Sequence, residues 1–479
     1  MVVFEALNAL QGDCLLLRLG QRDGEDKIWM IDGGPGAGPA LGGDDAPKEV
    51  ARVTPIPDVV LPHLEAVRRV PPPHVISLGV CTHIDDDHIE GMRRLVRRMA
   101  ALTPNPSDQI IFRRFWFNSL SAVLAGSDGG ALAPQSLGRT IADAFRATGR
   151  IAAGGVAQAI GGAPAPRGTP QAVAQSINQG IDLESDLRTA KLAGNLPFGG
   201  PVTADGRPLR IDGAVVTLLG PRPERLARLR AEWQAALEKP TAASRDGAVG
   251  RLAARVIRPD TSYPNLSSIV MLVEVDGRRL LLTGDALGDD VVEAWRDDLG
   301  KGAAVCPVDV LKLPHHGSIR NVSKAFLATF PADHYVFSGN GAHDNPDAAT
   351  IEMVVESAQG AGREITLHFT NAGIVWKAPQ TVKKTGATAE SLDAYLAALK
   401  TAYPTGWAEK FRDENACAVS IPLPPKAGTP AVADIAPVAV PPAEAEPKKP
   451  RPGKKTAPSD AANPATPKKP RTRKKAPPA

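Results

Sequence analysis

Short apolar blocks open the chain. Val2 to Leu7, Cys14 to Leu19 and Lys27 to Ile31 each read as a strand, the last ending in Asp32-Gly33-Gly34. A Pro/Gly-rich loop from Pro35 to about Pro47 separates them from a helix expected over Val60 to Arg69. An apolar strand from Val75 to Thr82 then leads into a polar cluster and a helix whose Ile89, Met92, Leu95 and Met99 recur at helical spacing. From about Ser119 to Ala204 the chain is rich in Ala, Gly, Ser and Gln, with helical stretches near Ile141 to Thr148 and Gln171 to Ala193; this is expected to be an inserted helical region. β signal returns at Val215 to Leu219, a helix is expected over Glu224 to Leu237, and Ile269 to Leu282 reads as a hairpin turned at Asp276-Gly277. Helices over Val291 to Leu299, Val322 to Phe330 and Ala348 to Ser357 then alternate with strands over Val308 to Leu313, Tyr335 to Ser338, Ile365 to Phe369 and Ile374 to Lys377. The order, β-rich first and α/β alternation afterwards, occurs twice and predicts an α/β fold around one main core.

Composition alters this picture at the C-terminus. After about Ile421 the chain is mostly Pro, Ala and Lys, which cannot bury enough apolar area to offset the entropy of ordering, so residues 421–479 are expected to be a disordered tail and 1–420 the folded domain. The net charge of +4 is unevenly spread: from Pro447 onward eleven Lys or Arg face one acid, Asp460, which leaves about −6 for the rest. No apolar run approaches the roughly 20 residues that span a bilayer, and the start lacks a signal-peptide pattern, so a soluble cytoplasmic protein is expected, with no membrane partner. Cys14, Cys81, Cys306 and Cys417 are far apart and form no CxxC, which argues against a zinc knuckle or a disulfide framework.

The chemistry-bearing residues lie just after the apolar strands. The chain has nine histidines, and five of them fall in three short polar clusters, which makes those clusters the place to look. The first is Thr82-His83-Ile84-Asp85-Asp86-Asp87-His88. Alternate residues His83 and Asp85 leave an extended segment on one side, while Asp87 and His88 stand where a helix begins, so four ligand-type side chains can converge. Leu282-Thr283-Gly284-Asp285 ends another strand in a carboxylate, and Leu313-Pro314-His315-His316-Gly317-Ser318 ends a third in adjacent histidines that packing does not require. His343-Asp344-Asn345-Pro346-Asp347 precedes a helix and reads equally as a site or as a turn with its N-cap.

In their order these segments resemble the metallo-β-lactamase superfamily, and more closely the soluble hydrolase domain of the competence-type DNA-uptake protein family, with its His-x-Asp-x-Asp-His, Thr-Gly-Asp and His-His-Gly-Ser motifs. Gln11-Gly12-Asp13, Ile31-Asp32-Gly33-Gly34 and Asn265-Leu266-Ser267-Ser268 match as well, and the resemblance spans about Met1 to Lys377. It implies a four-layered αββα metallo-β-lactamase sandwich carrying the helical insertion, and a metal-dependent hydrolase that activates water on one or two divalent ions, zinc or manganese. His83 and Asp85 would hold one ion, Asp87, His88 and His316 a second, and Asp285 would bridge them. His315 would be a ligand or a neighbour of one, and Asp32 and Asn265 would orient ligands by hydrogen bonds. Asp87, Asp285 and His316 would be the catalytic centre, with Ser318, His343 and Asn345 around the ligands or substrate.

Three departures qualify the resemblance. No histidine lies between His88 and His315, where the superfamily has a further ligand; Asn118 falls in about that region and is a poor ligand. Asp85 replaces the superfamily's second histidine, which hardens the site and leaves magnesium or manganese competing with zinc. The late Gly-His-Pro of relatives is Asp344-Asn345-Pro346 here. The substrate class expected from the resemblance and the basic tail is a phosphodiester of DNA or RNA, since the tail adds salt-sensitive affinity for polyanions. The alternatives are a small-molecule hydrolase of a cyclic nucleotide, lactone or phosphoester with the insertion as a lid, and a binding protein with a degenerate metal site. Protein partners are not indicated.

Overall fold

The computed structural model describes residues 1–21, 26–41, 51–68, 73–100, 110–125, 170–192, 194–237, 265, 267–299 and 304–428. Residues Met1–Ala436 cluster as one unit. The helix expected at Ile141 to Thr148 and the basic tail from Pro447 lie outside the described residues.

The strands are β1 Val2–Leu7, β2 Leu15–Leu19, β3 Lys27–Ile31, β4 Gly38–Pro39, β5 Arg52–Val53, β6 His74–Ile76, β7 Leu78–Cys81, β8 Ile110–Phe112, β9 Phe115–Phe117, β10 Leu209–Ile211, β11 Ala214–Gly220, β12 Val270–Val275, β13 Arg278–Leu282, β14 Val308–Lys312, β15 Ala332–Phe337, β16 Ile365–Phe369, β17 Val375–Thr381, β18 Thr388–Ser391, β19 Trp407–Phe411 and β20 Ala418–Leu423. One sheet has the order β20-β1-β2-β3-β7-β9 and another β10-β11-β12-β13-β14-β15-β16-β19. Each begins antiparallel and turns parallel, at β3 to β7 in the first and β13 to β14 in the second. The repeated order read from the sequence is therefore present as two sheets of like topology.

Period-two alternation along the strands sorts the apolar side chains. Phe4, Leu17, Trp29 and Val80 of the first sheet share one buried cluster with Val216, Met271, Leu280 and Val310 of the second. The opposite side of the first sheet, through Leu16 and Met30, packs with Ile89, Met92 and Leu95 of the helix Asp86–Ala100 and with Ile181, Leu183 and Leu187 of the helix Pro170–Thr189. Leu272, Leu281 and Leu311 face helices at Lys324–Thr329, Ala348–Gly360 and Leu392–Ala402. The described part of the insertion is thus core rather than lid: Gln179 bonds Glu90 at 2.9 Å, and Arg97 pairs with Asp186 at 3.0 Å.

Several boundaries differ from expectation. Val75 to Thr82 is two strands broken at Ser77, because β6 pairs with β8 while β7 pairs with β3 and β9. The helix expected from Val322 starts at Lys324, where the Ser323 hydroxyl accepts from the Phe326 N–H. The largest correction is at the end. The fold runs past residue 420, and Ile421 does not begin the tail. Leu392–Ala402 is a helix, β19 extends the second sheet, and β20 pairs antiparallel with β1 from Ala418 to Leu423, burying Val419, Ile421 and Leu423. Alternation with proline in a Pro-rich stretch hid this edge strand, and an edge is where proline is tolerated.

Candidate metal centre

The loops after the parallel strands of both sheets meet at one end. Asp32 follows β3, His83 to His88 follow β7, Asp285 follows β13, and His315 and His316 follow β14; the β1–β2 loop adds Asp13. Two glycines permit the approach. A side chain at Gly12 would meet the Asp87 carbonyl at 1.9 Å, and one at Gly91 the Gly33 carbonyl at 1.9 Å. The backbone stitches these loops together through Asp13 N to Asp87 O at 3.2 Å, Gly33 N to His88 O at 2.9 Å and Gly91 N to Gly34 O at 2.9 Å.

The histidine pair has an unusual backbone. His315, His316 and Gly317 have φ of 49, 56 and 90 degrees, a left-handed run that costs roughly 1 kcal/mol or more at each non-glycine. Adjacent side chains of an extended chain point to opposite faces. The left-handed turn instead lets both rings approach one carboxylate, Asp285.

Asp285 is the centre of the arrangement. Its Oδ2 lies 3.8 Å from His83 Nε2 and 3.6 Å from His315 Nε2, and His83 Nε2 is 3.9 Å from Asp85 Oδ2. Its Oδ1 lies 3.2 Å from His88 Nε2 and 3.7 Å from His316 Nε2, and Asp87 Oδ2 stands 3.1 Å from His316 Nε2 and 3.7 Å from His88 Nε2. Among the described residues neither Asp285 oxygen accepts a hydrogen bond, nor does His88 Nε2 make one, although all are buried. Ligand atoms bound at about 2.0–2.2 Å around a tetrahedral ion stand about 3.3–3.6 Å from one another. The spacings, 3.1 to 3.9 Å, bracket that range; Asp87 Oδ2 and His316 Nε2 are also within hydrogen-bond distance of each other.

Charge supports the same reading. Five carboxylates, Asp13, Asp32, Asp85, Asp87 and Asp285, face one ammonium, Lys312, and all but Asp85 are buried. With neutral imidazoles this leaves four uncompensated negative charges, which burial makes costly and which two divalent cations would balance. The protein alone makes up part of the deficit with a proton. Burial disfavours a charged ring at His88, yet Asp285 and Asp32 raise its pKa well above the usual histidine value. Burial likewise opposes the charge of Asp285, but His88, His315 and His316 hold its pKa well below the ordinary carboxylate range.

Asp13, His88, Asp285 and His316 form a buried cluster, with ligand atoms within 4.8 Å of one another, that could hold a metal ion. Within it Asp13 is better placed as an orienting group than as a ligand. Its Oδ1 meets His316 Nδ1, the nitrogen away from Asp285, at 3.3 Å and accepts from the Ser338 hydroxyl, while Lys312 Nζ reaches its Oδ2 at 2.8 Å. Asp87 reaches the same ring through Nε2 and is the stronger ligand candidate. Asp32 plays Asp13's part for His88, contacting Nδ1 at 2.8 Å while accepting from Thr82 N and Oγ1 at 2.7 Å each. Asn265 Nδ2 lies 3.4 Å, and Asn321 Oδ1 3.1 Å, from His315 Nδ1.

Other expected positions sort by distance from this centre. Asn345 is buried and donates to the His315 carbonyl at 3.4 Å, whereas His343 is exposed. Ser318 is buried and closes the turn, its N–H donating to His315 O at 2.9 Å. Asn118 is spent on backbone, bonding both N and O of Val202. Sequence reading gave no role to Asp13, Lys312 or Ser338. A lysine closing a buried strand, three residues before the His315-His316 pair, was the available signal for Lys312.

No family model matches the sequence, and no curated protein matches it.

Proposed function

We propose that the chain is a metal-dependent hydrolase of the metallo-β-lactamase type, and within that class a phosphodiesterase acting on nucleic acid. The observation that carries the reading is the single buried carboxylate, Asp285, with one oxygen turned to His83 and His315 and the other to His88 and His316, while Asp85 stands beside the His83 ring and Asp87 beside those of His88 and His316. The shared apolar layer between two sheets of like topology, with helices on their outer faces, supports an αββα sandwich.

Two zinc or manganese ions held by these six side chains and Asp285 would lower the pKa of water and offset charge developing on the substrate. The protein's own contribution is orientation. Asp13 and Asp32 fix the rings of His316 and His88 through Nδ1, so that each presents Nε2. The phosphodiester assignment rests on the motif resemblance and on the basic segment from Pro447, whose eleven cations would add affinity for a polyanion.

The test is metal analysis together with hydrolysis of single-stranded DNA and a chromogenic phosphodiester in manganese, zinc and magnesium, beside Asp285→Asn. Two bound ions and cleavage, both lost in the variant, are expected. A metal-free protein, or an active Asp285→Asn, would overturn the hydrolase reading; two ions without phosphodiester cleavage would overturn the substrate class alone.

A further inference from the structure

The parallel strands β3, β7 and β9 have two ends, and the metal centre uses only one. At the other, where these strands begin, a cleft of about 490 Å³ is lined by Asp26, Lys27, Ile28, Arg68, Val75, Ser77, Arg113, Arg114 and Asp212. Lys27 precedes Asp32 by five residues along β3, which at about 3.3 Å per residue puts roughly 16 Å of strand between cleft and centre. The two are separate sites.

The cleft carries four cations against two acids. The acids are engaged: Asp212 accepts from the buried Trp29 indole at 2.8 Å and lies 3.4 Å from Arg114, and Asp26 leans towards Arg18 at 3.8 Å. Arg68 donates to the Val75 carbonyl at 2.5 Å, which fixes its guanidinium on the wall. Arg113 and Lys27 are exposed and form no ion pair among the described residues; Arg113 is anchored by its backbone, N–H to Ile76 O at 2.9 Å. A concave site with a net charge of +2 and cations without partners raises the local concentration of anions, and guanidinium forks match phosphate oxygens in pairs.

We propose that this cleft binds a phosphate-bearing small molecule, a pyrophosphate group or a nucleoside diphosphate, with Arg113 and Lys27 on the phosphate oxygens. The volume lies within the range of small-molecule pockets, about 300–1,000 Å³. The buried Ile28 and the half-buried Val75 supply the apolar wall that a nucleoside, but not bare pyrophosphate, would use.

The test is calorimetric titration of the full chain with pyrophosphate and with ADP, in chelator so that the metal centre cannot recruit them, for wild type, Arg113→Glu and Lys27→Glu. Saturable binding weakened tenfold or more by either exposed charge reversal is expected, with ADP the tighter probe if the apolar wall contributes and pyrophosphate equal to it if phosphate alone is read. No binding of either probe in chelator, or binding that both reversals leave unchanged, would overturn the proposal.

Discussion

Lys312 is the sharpest place to test the electrostatics of the centre. Its ammonium is fully buried, 2.8 Å from Asp13 Oδ2 and 2.8 Å from the Leu313 carbonyl, and among the described residues it is the ammonium set against the five carboxylates. Lys312→Met keeps the side-chain volume, so no cavity forms, and removes only the charge and its donors. Breaking a buried pair by removing one partner costs about 3–5 kcal/mol, because the other charge stays buried without compensation. The variant should therefore lose about that much stability in urea unfolding in chelator, and saturating manganese or zinc should recover part of it. Asp13→Asn/Lys312→Met should be less destabilised than the sum of its single changes by about 1–3 kcal/mol, the range of coupling between residues in contact. A loss under about 1 kcal/mol in Lys312→Met, or additive single changes, would refute the charge balance argued for the centre.

Three further outcomes follow from the packing. Gly91→Ala places a methyl 1.9 Å from the Gly33 carbonyl, backbone against backbone, and should lower stability by about 1–3 kcal/mol or more and weaken metal retention, read by thermal melts with and without chelator; an unchanged melt would mean the loops are not locked together. A chain ending at Gly428 should melt like the full chain, whereas one ending at Asn415 loses the burial of Val419, Ile421 and Leu423, at about 1.5–3 kcal/mol each, and should fail to fold; a soluble, folded product of the shorter form would contradict the placement of β20. His368, 3 % exposed, is pushed down to about 3 by burial first and then by His334, 3.2 Å away, and Lys410. An unfolded histidine protonates near about 6.5, so the unfolded state binds the extra proton below that pH, and stability is full above it and falls as pH drops towards 3. Relative to wild type, His368→Gln should flatten urea stability between pH 6.5 and 4.5 by up to about 1.4 kcal/mol per pH unit; parallel curves would show that the ring is not held neutral.

The parts of this fold that were legible in the sequence are those in which local pattern and tertiary environment agree. The first three strands and the Asp276-Gly277 turn, with φ of 52 and 73 degrees, lie within a residue of where alternation and turn chemistry put them. The grouping of His83, Asp85, Asp87, His88, Asp285, His315 and His316 could be anticipated because each segment follows an apolar strand, and parallel neighbours bring such loops to one edge. What could not be read were consequences of long-range pairing. Ser77 breaks a continuous apolar run only because β6 and β7 find different partners. Gln11-Gly12-Asp13 stands out as a motif but not with a role; the role of Asp13 comes from Lys312, Ser338 and His316, some 300 residues on. The helix Leu392–Ala402 and the last two strands were passed over because the motif resemblance ended before them.

The pairing of Val2 with Leu423 also sets a clock. The first strand made waits for the last, and a contact closed across almost the whole folded unit is rewarded only after its loop entropy has been met, which makes it a slow and late step. β1 leads directly into the turn that bears Asp13, so the orientation of His316 depends on that late step as well. A nascent or cleaved chain can hold most of the histidines and aspartates of the centre without holding them in register. Acquisition of metal should accordingly track the completion of folding, and a metal-release signal in kinetic unfolding should report the detachment of β20 before the loss of the parallel strands.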